Sequence, residues 1–595
     1  MEVYDIGILP KIGGTIGCIT RFFARRKFHV VGNGSFPLGN YYRRPESNLL
    51  DKSKFSIYRQ LVNLTKKTPK RIVFVDGNDQ YSADDIAFNA KKLASGLKEM
   101  GITSGDKVAL MAMPHERELY ESVFALQAIG AVPVLINFLN TPNVPYMFLN
   151  SDCKALIVGR HPGMQKGAEK AAKRGLFKHV IYVDDKDSNG SWVKKLFIPY
   201  SLAMNRQPPL PDDELMIDPP KDYPALQLYT SGSEGRPKRM TYSYQMVADV
   251  VKALERFKID RFDKVILPVP FYHLAGLIIF SGALQSEAPI ILTEIPRKSV
   301  PETIPQTLQK IIQNEVTIFP GVPAILEPVL ELALEKQETM DKLRLIFSGA
   351  APLTQNLVEL VNELNVRRIN KGMKPIQLVN LYASTECGPI SSTVSKITRD
   401  NRSSVGIPFD GVGVKISPES ELLVKPKTFP LDLPKEFLTE DGFFKTGDFV
   451  ELGENNEIVF RSRQKERLNI KGEKISPDTI QNEINKLPGV RDCYVFGVEK
   501  GEGDESDLVC ALVIPKIKDD STVTYETIKK SLKEKNLLPG GLIPRVIFVE
   551  NSVPISAMGT TGKITCASLA KVYGDRARKI YHPHVKEGTS FAKAA

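Results

Sequence analysis

Residues 229–240 read Tyr-Thr-Ser-Gly-Ser-Glu-Gly-Arg-Pro-Lys-Arg-Met, and the apolar, β-favouring run Ala225–Thr230 leads into them. Thr230, Ser231 and Ser233 interleave with Gly232 and Gly235, and Pro237 fixes the chain just before Lys238. Glycines let a backbone turn sharply and bring its N–H groups up to an anion. Hydroxyls add donors, and Lys238 adds a compact positive charge. The stretch therefore predicts a loop after a buried strand that is built for a polyphosphate. It is not a Walker loop, because the spacing is GxxGxxK with no Lys-Ser/Thr pair. Alone, it reads more readily as a Gly/Ser surface connection between strands.

Four further blocks follow it: Asn380-Leu-Tyr-Ala-Ser-Thr-Glu386, Phe443-Phe-Lys-Thr-Gly-Asp448, Arg463-Gln-Lys-Glu-Arg-Leu-Asn-Ile-Lys-Gly472 and Thr561-Gly-Lys563-Ile. In this order and spacing they resemble the adenylate-forming superfamily of acyl-CoA synthetases, peptide-synthetase adenylation domains and luciferases, over roughly residues 50–580. The resemblance implies an α/β fold with a large, multi-subdomain adenylation domain (51–462), a hinge (463–467) and a small mobile α+β domain (468–580). A basic extension (1–50) and a tail (581–595) flank them. A chain of 595 residues is too long for one core, in keeping with that division.

The resemblance also implies roles. Thr230, Ser231, Gly232, Ser233, Gly235 and Lys238 would hold phosphates. Gly349 and Ala350 would form an adenine-side turn, and Tyr382 would lie against adenine. Thr385 would donate to the α-phosphate and Glu386 would bind Mg²⁺. Asp448 would accept the ribose hydroxyls, Arg463 would contact the ribose–phosphate side, and Lys563 would hold the reacting oxygens. Lys465 is the hinge, and Gly472 and Glu473 line the path of CoA. ATP and CoA would be co-substrates.

Several positions depart from the pattern. Ala383 replaces a glycine, Glu234 a threonine and Arg239 a glycine, and Pro554 lies nine residues before Lys563. A carboxylate at Glu234 costs electrostatically beside a triphosphate unless it turns away or pairs, with Arg236 or Arg239 as partners within reach.

The acyl side is read from Pro270-Phe-Tyr-His-Leu-Ala-Gly276 and Phe319-Pro-Gly-Val-Pro323, which resemble segments bordering the acyl tunnel of fatty-acyl members. They single out His273, Gly276, Gly321 and Val322. Leu135-Ile-Asn-Phe, Lys154–Gly159 and Lys471-Gly-Glu473 are similar to the fatty-acid transport protein and very-long-chain acyl-CoA synthetase branch. A lone histidine reads equally as a packing residue.

Composition is that of a globular protein, 42% apolar and 25% charged. The net charge of +11 suits an acidic partner or an anionic membrane surface. The basic residues are dispersed and carry no nucleic-acid motif, so no nucleic-acid partner is expected. Six scattered cysteines without a CxxC pair fit a reducing compartment and offer no zinc framework. Between Ile6 and Arg44 there is no acidic residue while arginines and lysines accumulate around the short apolar run Ile12–Phe23. That run is shorter than the ~20 residues of a spanning helix. It is compatible with a membrane-interface segment, with packing on the protein body, or with a transit peptide.

The expectation is a long- or very-long-chain fatty acid–CoA ligase, peripherally bound to the cytoplasmic face of an organelle or endoplasmic reticulum membrane. Two alternatives stay open: adenylation of another acid or delivery to a carrier-protein thiol, and a non-catalytic nucleotide- or acyl-binding member.

Overall fold

Short apolar runs alternating with amphipathic ones make this an α/β protein. In the computed structural model the described residues are 56–138, 143–183, 197–230, 237–296, 301–398, 400–470, 472–500, 506–535, 537–539, 541–557 and 564–581. The extension 1–55, residues 231–236 of the phosphate loop, Lys563 and residues 582–595 lie outside them.

Among the described residues the strands form sheets of thirteen, seven, three and two. The seven-stranded sheet is parallel except at one edge. Lys107–Met111 lies between Val132–Leu135 and Ala155–Val158, and Pro224–Tyr229 joins beyond Val132–Leu135. Burial on both faces explains why these strands read as continuous apolar runs rather than alternating ones. Arg239–Ser243 returns antiparallel to Pro224–Tyr229, with Tyr229 opposite Arg239 at the carboxyl end of the parallel strands.

One half of the thirteen-stranded sheet is parallel: Ile72–Asp76, Ile290–Leu292, Val265–Leu267, Ile318–Gly321, Leu345–Gly349 and Gln377–Ser384. The other half is antiparallel and runs through Gly388–Ser392 to Ile458–Arg463 and Phe444–Leu452. One continuous core joins the two large sheets, with Tyr58, Tyr120, Phe271 and Phe280 among its fully buried rings.

The large sheet ends at Arg463, and a short turn, Gln464–Glu466, leads into the small domain. There Leu468–Ile470 and Glu473–Ile475 form a hairpin, and a three-stranded sheet centred on Asp507–Pro515 packs against helices Pro477–Asn485, Tyr525–Glu534 and Cys566–Tyr581. The fold is thus a large amino-terminal unit followed by a smaller α+β one.

Residues 187–220 are rich in Asp, Pro and Ser, a composition that suits a surface connection, yet their described part contains strand Ile198–Pro199 and helix Tyr200–Met204. Tyr200 and Ala203 are buried, so packing overrides a Pro- and Asp-rich composition. No described helix is long and apolar enough to cross a membrane. The described cysteines (153, 387, 493, 510 and 566) are free thiols.

Candidate active site

In parallel sheets, ligands gather beyond the carboxyl ends of the strands, where successive loops converge. The motifs fall at those ends. The phosphate loop follows Pro224–Tyr229, Gly321 ends Ile318–Gly321, Gly349 ends Leu345–Gly349, and Thr385 follows Gln377–Ser384. Gly349 pairs in register with Leu381, and a side chain there would bring its Cβ to 2.7 Å from the Leu381 carbonyl oxygen. Ala350 next to it adopts φ +60°, which turns the chain away from the strand.

Three residues from separate sequence blocks meet. Asp448 and Arg463 stand opposite each other on adjacent antiparallel strands, so the ladder itself pairs them. Arg463 Nε lies 3.0 Å from Asp448 Oδ1, and the Tyr382 hydroxyl donates to Asp448 Oδ2 at 2.5 Å. Asp448 is only 3% exposed, so these partners replace its lost hydration. Burial, then the Asp448 charge, hold the Tyr382 hydroxyl protonated far above its ordinary range.

Thr385 and Glu386 occupy the turn between strands Gln377–Ser384 and Gly388–Ser392. The turn is anchored twice. The Tyr242 hydroxyl donates to the Thr385 carbonyl at 2.7 Å, and Cys387 N–H donates to Ser384 Oγ at 3.1 Å. Burial pushes the Glu386 carboxyl upward, opposed in part by the charges of Arg463 and Lys238. A half-buried single carboxylate facing space shared with those cations fits Mg²⁺, which takes one or two protein carboxylates and completes its shell with phosphates and water.

The described ends of the phosphate loop are closed on each other. Thr230 N–H donates to the Lys238 carbonyl at 2.8 Å, and Lys238 N–H donates to Thr230 Oγ1 at 3.1 Å. The Lys238 ammonium sits 4.2 Å over the Phe437 ring. Ser231, Gly232, Ser233 and Gly235 lie outside the described residues. Arg239 pairs with Asp432: its Nε donates to Asp432 Oδ2 at 3.2 Å, and Asp432 also accepts from Thr241 N–H at 2.7 Å and Thr241 Oγ1 at 2.8 Å. Asp432 and Tyr242 carry no motif signature, which is why sequence reading passed over them. Asp432 lies almost two hundred residues from the strand it clamps.

On the acyl side, His273 precedes helix Leu274–Gln285, with Nε2 3.4 Å from Asn137 Nδ2. Burial lowers its pKa to about 4, so the ring is neutral at physiological pH. Gly276 has no room for a side chain, since a Cβ would sit 2.2 Å from the Pro270 carbonyl oxygen. Gly321 and Val322 lead into helix Pro323–Glu335. Pro270, Ile295, Pro323, Ile325 and Leu353 are apolar walls of a cleft of about 380 Å³ between the two domains.

The small domain presents one of its two marked segments to that cleft. Ile564, Thr565 and Cys566, the residues immediately after Lys563, line it. Gly472, at φ +87°, and Glu473 are exposed and do not. Lys465 sits exposed in the connecting turn.

A divided α/β chain with a loop–turn–acid constellation at strand ends defines the class of adenylate-forming enzymes. The family model for AMP-binding enzymes matches residues 62–428, and the chain belongs to that family. Its relatives include a long-chain-fatty-acid–CoA ligase, FadD13, of Mycobacterium tuberculosis, 26% identical over 81% of this chain and 91% of that one. A 2-succinylbenzoate–CoA ligase of Listeria monocytogenes is 24% identical over 83% and 95%. The fold is similar to ATP-bound MatB from Rhodopseudomonas palustris, with TM-score 0.71, 22% identity and coverage of 87% and 99%. It is also similar to the anthranilate CoA ligase AuaEII with anthranoyl-AMP, with TM-score 0.72, 18% identity and coverage of 88% and 98%. Membership supports an enzyme that joins an acid to CoA with formation of AMP.

Proposed function

We propose that the protein is an ATP-dependent long- or very-long-chain fatty acid–CoA ligase. The observation that carries adenylation is the meeting of Tyr382, Asp448 and Arg463 beside the Thr385–Glu386 turn. A carboxylate oxygen of the acid attacks the α-phosphorus of ATP, pyrophosphate leaves with its electron pair, and an acyl-adenylate remains. Two anions approach each other in that step, so it needs cations and oriented donors rather than a protein nucleophile. Lys238 and the loop residues Thr230, Ser231, Gly232, Ser233 and Gly235 hold phosphates, Thr385 donates to the α-phosphate, and Lys563 holds the reacting oxygens. Tyr382, with Gly349 and Ala350, borders adenine. Asp448 takes the ribose hydroxyls in place of the Tyr382 hydroxyl it now accepts, and Arg463 contacts the ribose–phosphate side. Glu386 holds Mg²⁺, which supplies neutralisation of phosphate charge. The thiolate of CoA then attacks the acyl carbon and AMP departs.

The buried, neutral His273 supports a fatty acid, with Gly276, Gly321 and Val322 shaping its channel. The FadD13 relative acts on long-chain fatty acids by its name, which favours the same class. The pose with Ile564–Cys566 in the cleft suits adenylation, whereas thiolation brings Gly472 and Glu473 inward by rotation at Lys465. Contact of the extension 1–50 with a cytoplasmic membrane face is part of this reading.

Pyrophosphate release from ATP, measured over a panel of carboxylic acids with and without CoA, tests it. Release should depend on long-chain acids and turn over only with CoA. Release without CoA-dependent turnover points to a carrier thiol, a response confined to short or aromatic acids overturns the fatty-acid assignment, and silence with every acid marks a binding protein.

A further inference from the structure

The interdomain cleft holds ionisable groups that this chemistry does not use. Glu327, on helix Pro323–Glu335, and Thr354, capping helix Gln355–Asn370, come from the large domain. Arg491 and Asp492, at the start of strand Val490–Glu499, come from the small one. All four line the same cavity, together with Arg402, Arg461 and Asp478.

Asn356 stands between carboxyls of both domains. Its side-chain amide donates to Glu327 Oε2 and to Glu331 Oε1, each at 3.1 Å. Its backbone N–H, in the first turn of its helix, faces the Asp492 carboxyl. Thr354 Oγ1 donates to the other oxygen of Glu327. Asp492 is 6% exposed, with Arg491 Nε 3.7 Å from its Oδ2. Arg402 also faces Asp492, but its Nη2 is spent on Asn482 Oδ1 at 2.9 Å. Glu327 faces Glu331 on its own helix and Arg491 across the cleft. Asp478 faces Arg402, Arg461 and Glu466, and the ion pair Lys516–Glu359, at 3.6 Å, bridges the domains nearby.

Two carboxyls in one desolvated cleft do not both stay ionised without a large cost. Burial, then the Glu327 carboxyl, push Asp492 up, while burial pushes up Glu327 with Glu331 adding to it. Burial also raises Asp478, to about 7.

We propose that Glu327 and Asp492 form a proton-held latch, in which the small domain docks in this pose with one proton carried between the two carboxyls and lets go as that proton is lost. Undocked, both carboxyls are solvated and ionise in the ordinary range, so docking takes up a proton. The docked pose is therefore fully favoured below that range. It weakens as the pH rises through the raised docked values, by up to tenfold in the docking equilibrium per pH unit. Because the pose puts Ile564–Cys566 in the cleft, the latch favours the first half-reaction at lower pH, a consequence that rests on the proposed function. The latch itself does not.

The experiment reads the interdomain distance alone. Spin labels replacing the exposed Lys173 and Lys530 of the full chain are measured by double electron–electron resonance between about pH 5.5 and 8.5, without substrates. The docked distance should dominate at the acid end and lose at least tenfold in its ratio to other distances at the alkaline end. Asp492→Asn, which keeps the size and an amide oxygen but carries no charge, should hold the docked distance at both ends, and so should Glu327→Gln. A wild-type distribution that does not move with pH overturns the latch. So does an Asp492→Asn chain that undocks at every pH while circular dichroism shows both domains folded, since docking would then need the charge. Failure of the ligase reading would appear only in the pyrophosphate assay and would leave these distances unchanged.

Discussion

At the scale of single residues, the site works by placing charge where charge will develop. If Lys563 holds the reacting oxygens, Lys563→Ala removes roughly 3 kcal/mol of transition-state stabilisation, about a hundredfold in adenylation rate. Thioester formation from supplied acyl-adenylate should be nearly spared, and rapid-quench measurement of the two half-reactions checks this. Tyr242 acts one step further out. Its hydroxyl donates to the Thr385 carbonyl from a fully buried ring, so Tyr242→Phe keeps the packing but frees the turn that carries Thr385 and Glu386. Losing one such hydrogen bond costs about 1 kcal/mol. Adenylation should slow roughly fivefold and demand more Mg²⁺ at an unchanged KM for the acid, whereas a purely structural role would lower the melting temperature and leave the Mg²⁺ dependence alone.

Elements are held in place by contacts that motifs do not announce. Helix Leu274–Gln285 starts against the Pro270 carbonyl, and Gly276 is what permits the approach. Gly276→Ala should cost about 2 kcal/mol by forcing helix and loop apart, read as a lower melting temperature together with a raised KM for the acid. Deeper in the sheet, the Asp263 carboxylate accepts from Arg344 Nε at 2.8 Å and Nη2 at 2.7 Å, and from Thr317 Oγ1 at 2.8 Å. Burial alone would raise its pKa, but the Arg344 hydrogen bonds and charge outweigh burial and hold it below the ordinary value. The contribution is therefore fully present above about pH 4 and is lost as the pH falls through the lowered value. Asp263→Asn, which strands a partly buried guanidinium, should cost about 3 kcal/mol at neutral pH, and the gap from wild type should close in acid. Urea midpoints at about pH 7 and pH 3 would show it.

Across the whole molecule, the two marked segments of the small domain are placed differently: Ile564–Cys566 line the cleft while Gly472 is exposed. Under the proposed function the second half-reaction brings Gly472 inward by a turn about residues 464–466. Lys465→Pro fixes φ in that turn. Acyl-adenylate should still form and thioester production should fall at least tenfold; unchanged CoA transfer would remove Lys465 from the hinge. Much of this molecule is legible in its amino-acid order, because strands, turns and glycine loops are local. The apolar run Ala225–Thr230 announces the strand Pro224–Tyr229, and the blocks at 380–386, 443–448 and 463–472 carry the family resemblance from which their roles are expected. Pairing across distance is not local. That Asp448 meets Arg463 follows from a ladder register, that Asp432 engages Arg239 follows from a clamp between distant segments, and that Glu327 and Asp492 line one cavity follows from how two domains dock. Only the tertiary structure decides such contacts, since the energy that selects them comes from desolvating both partners at once, and a residue's neighbours in sequence say nothing about which partner will be there.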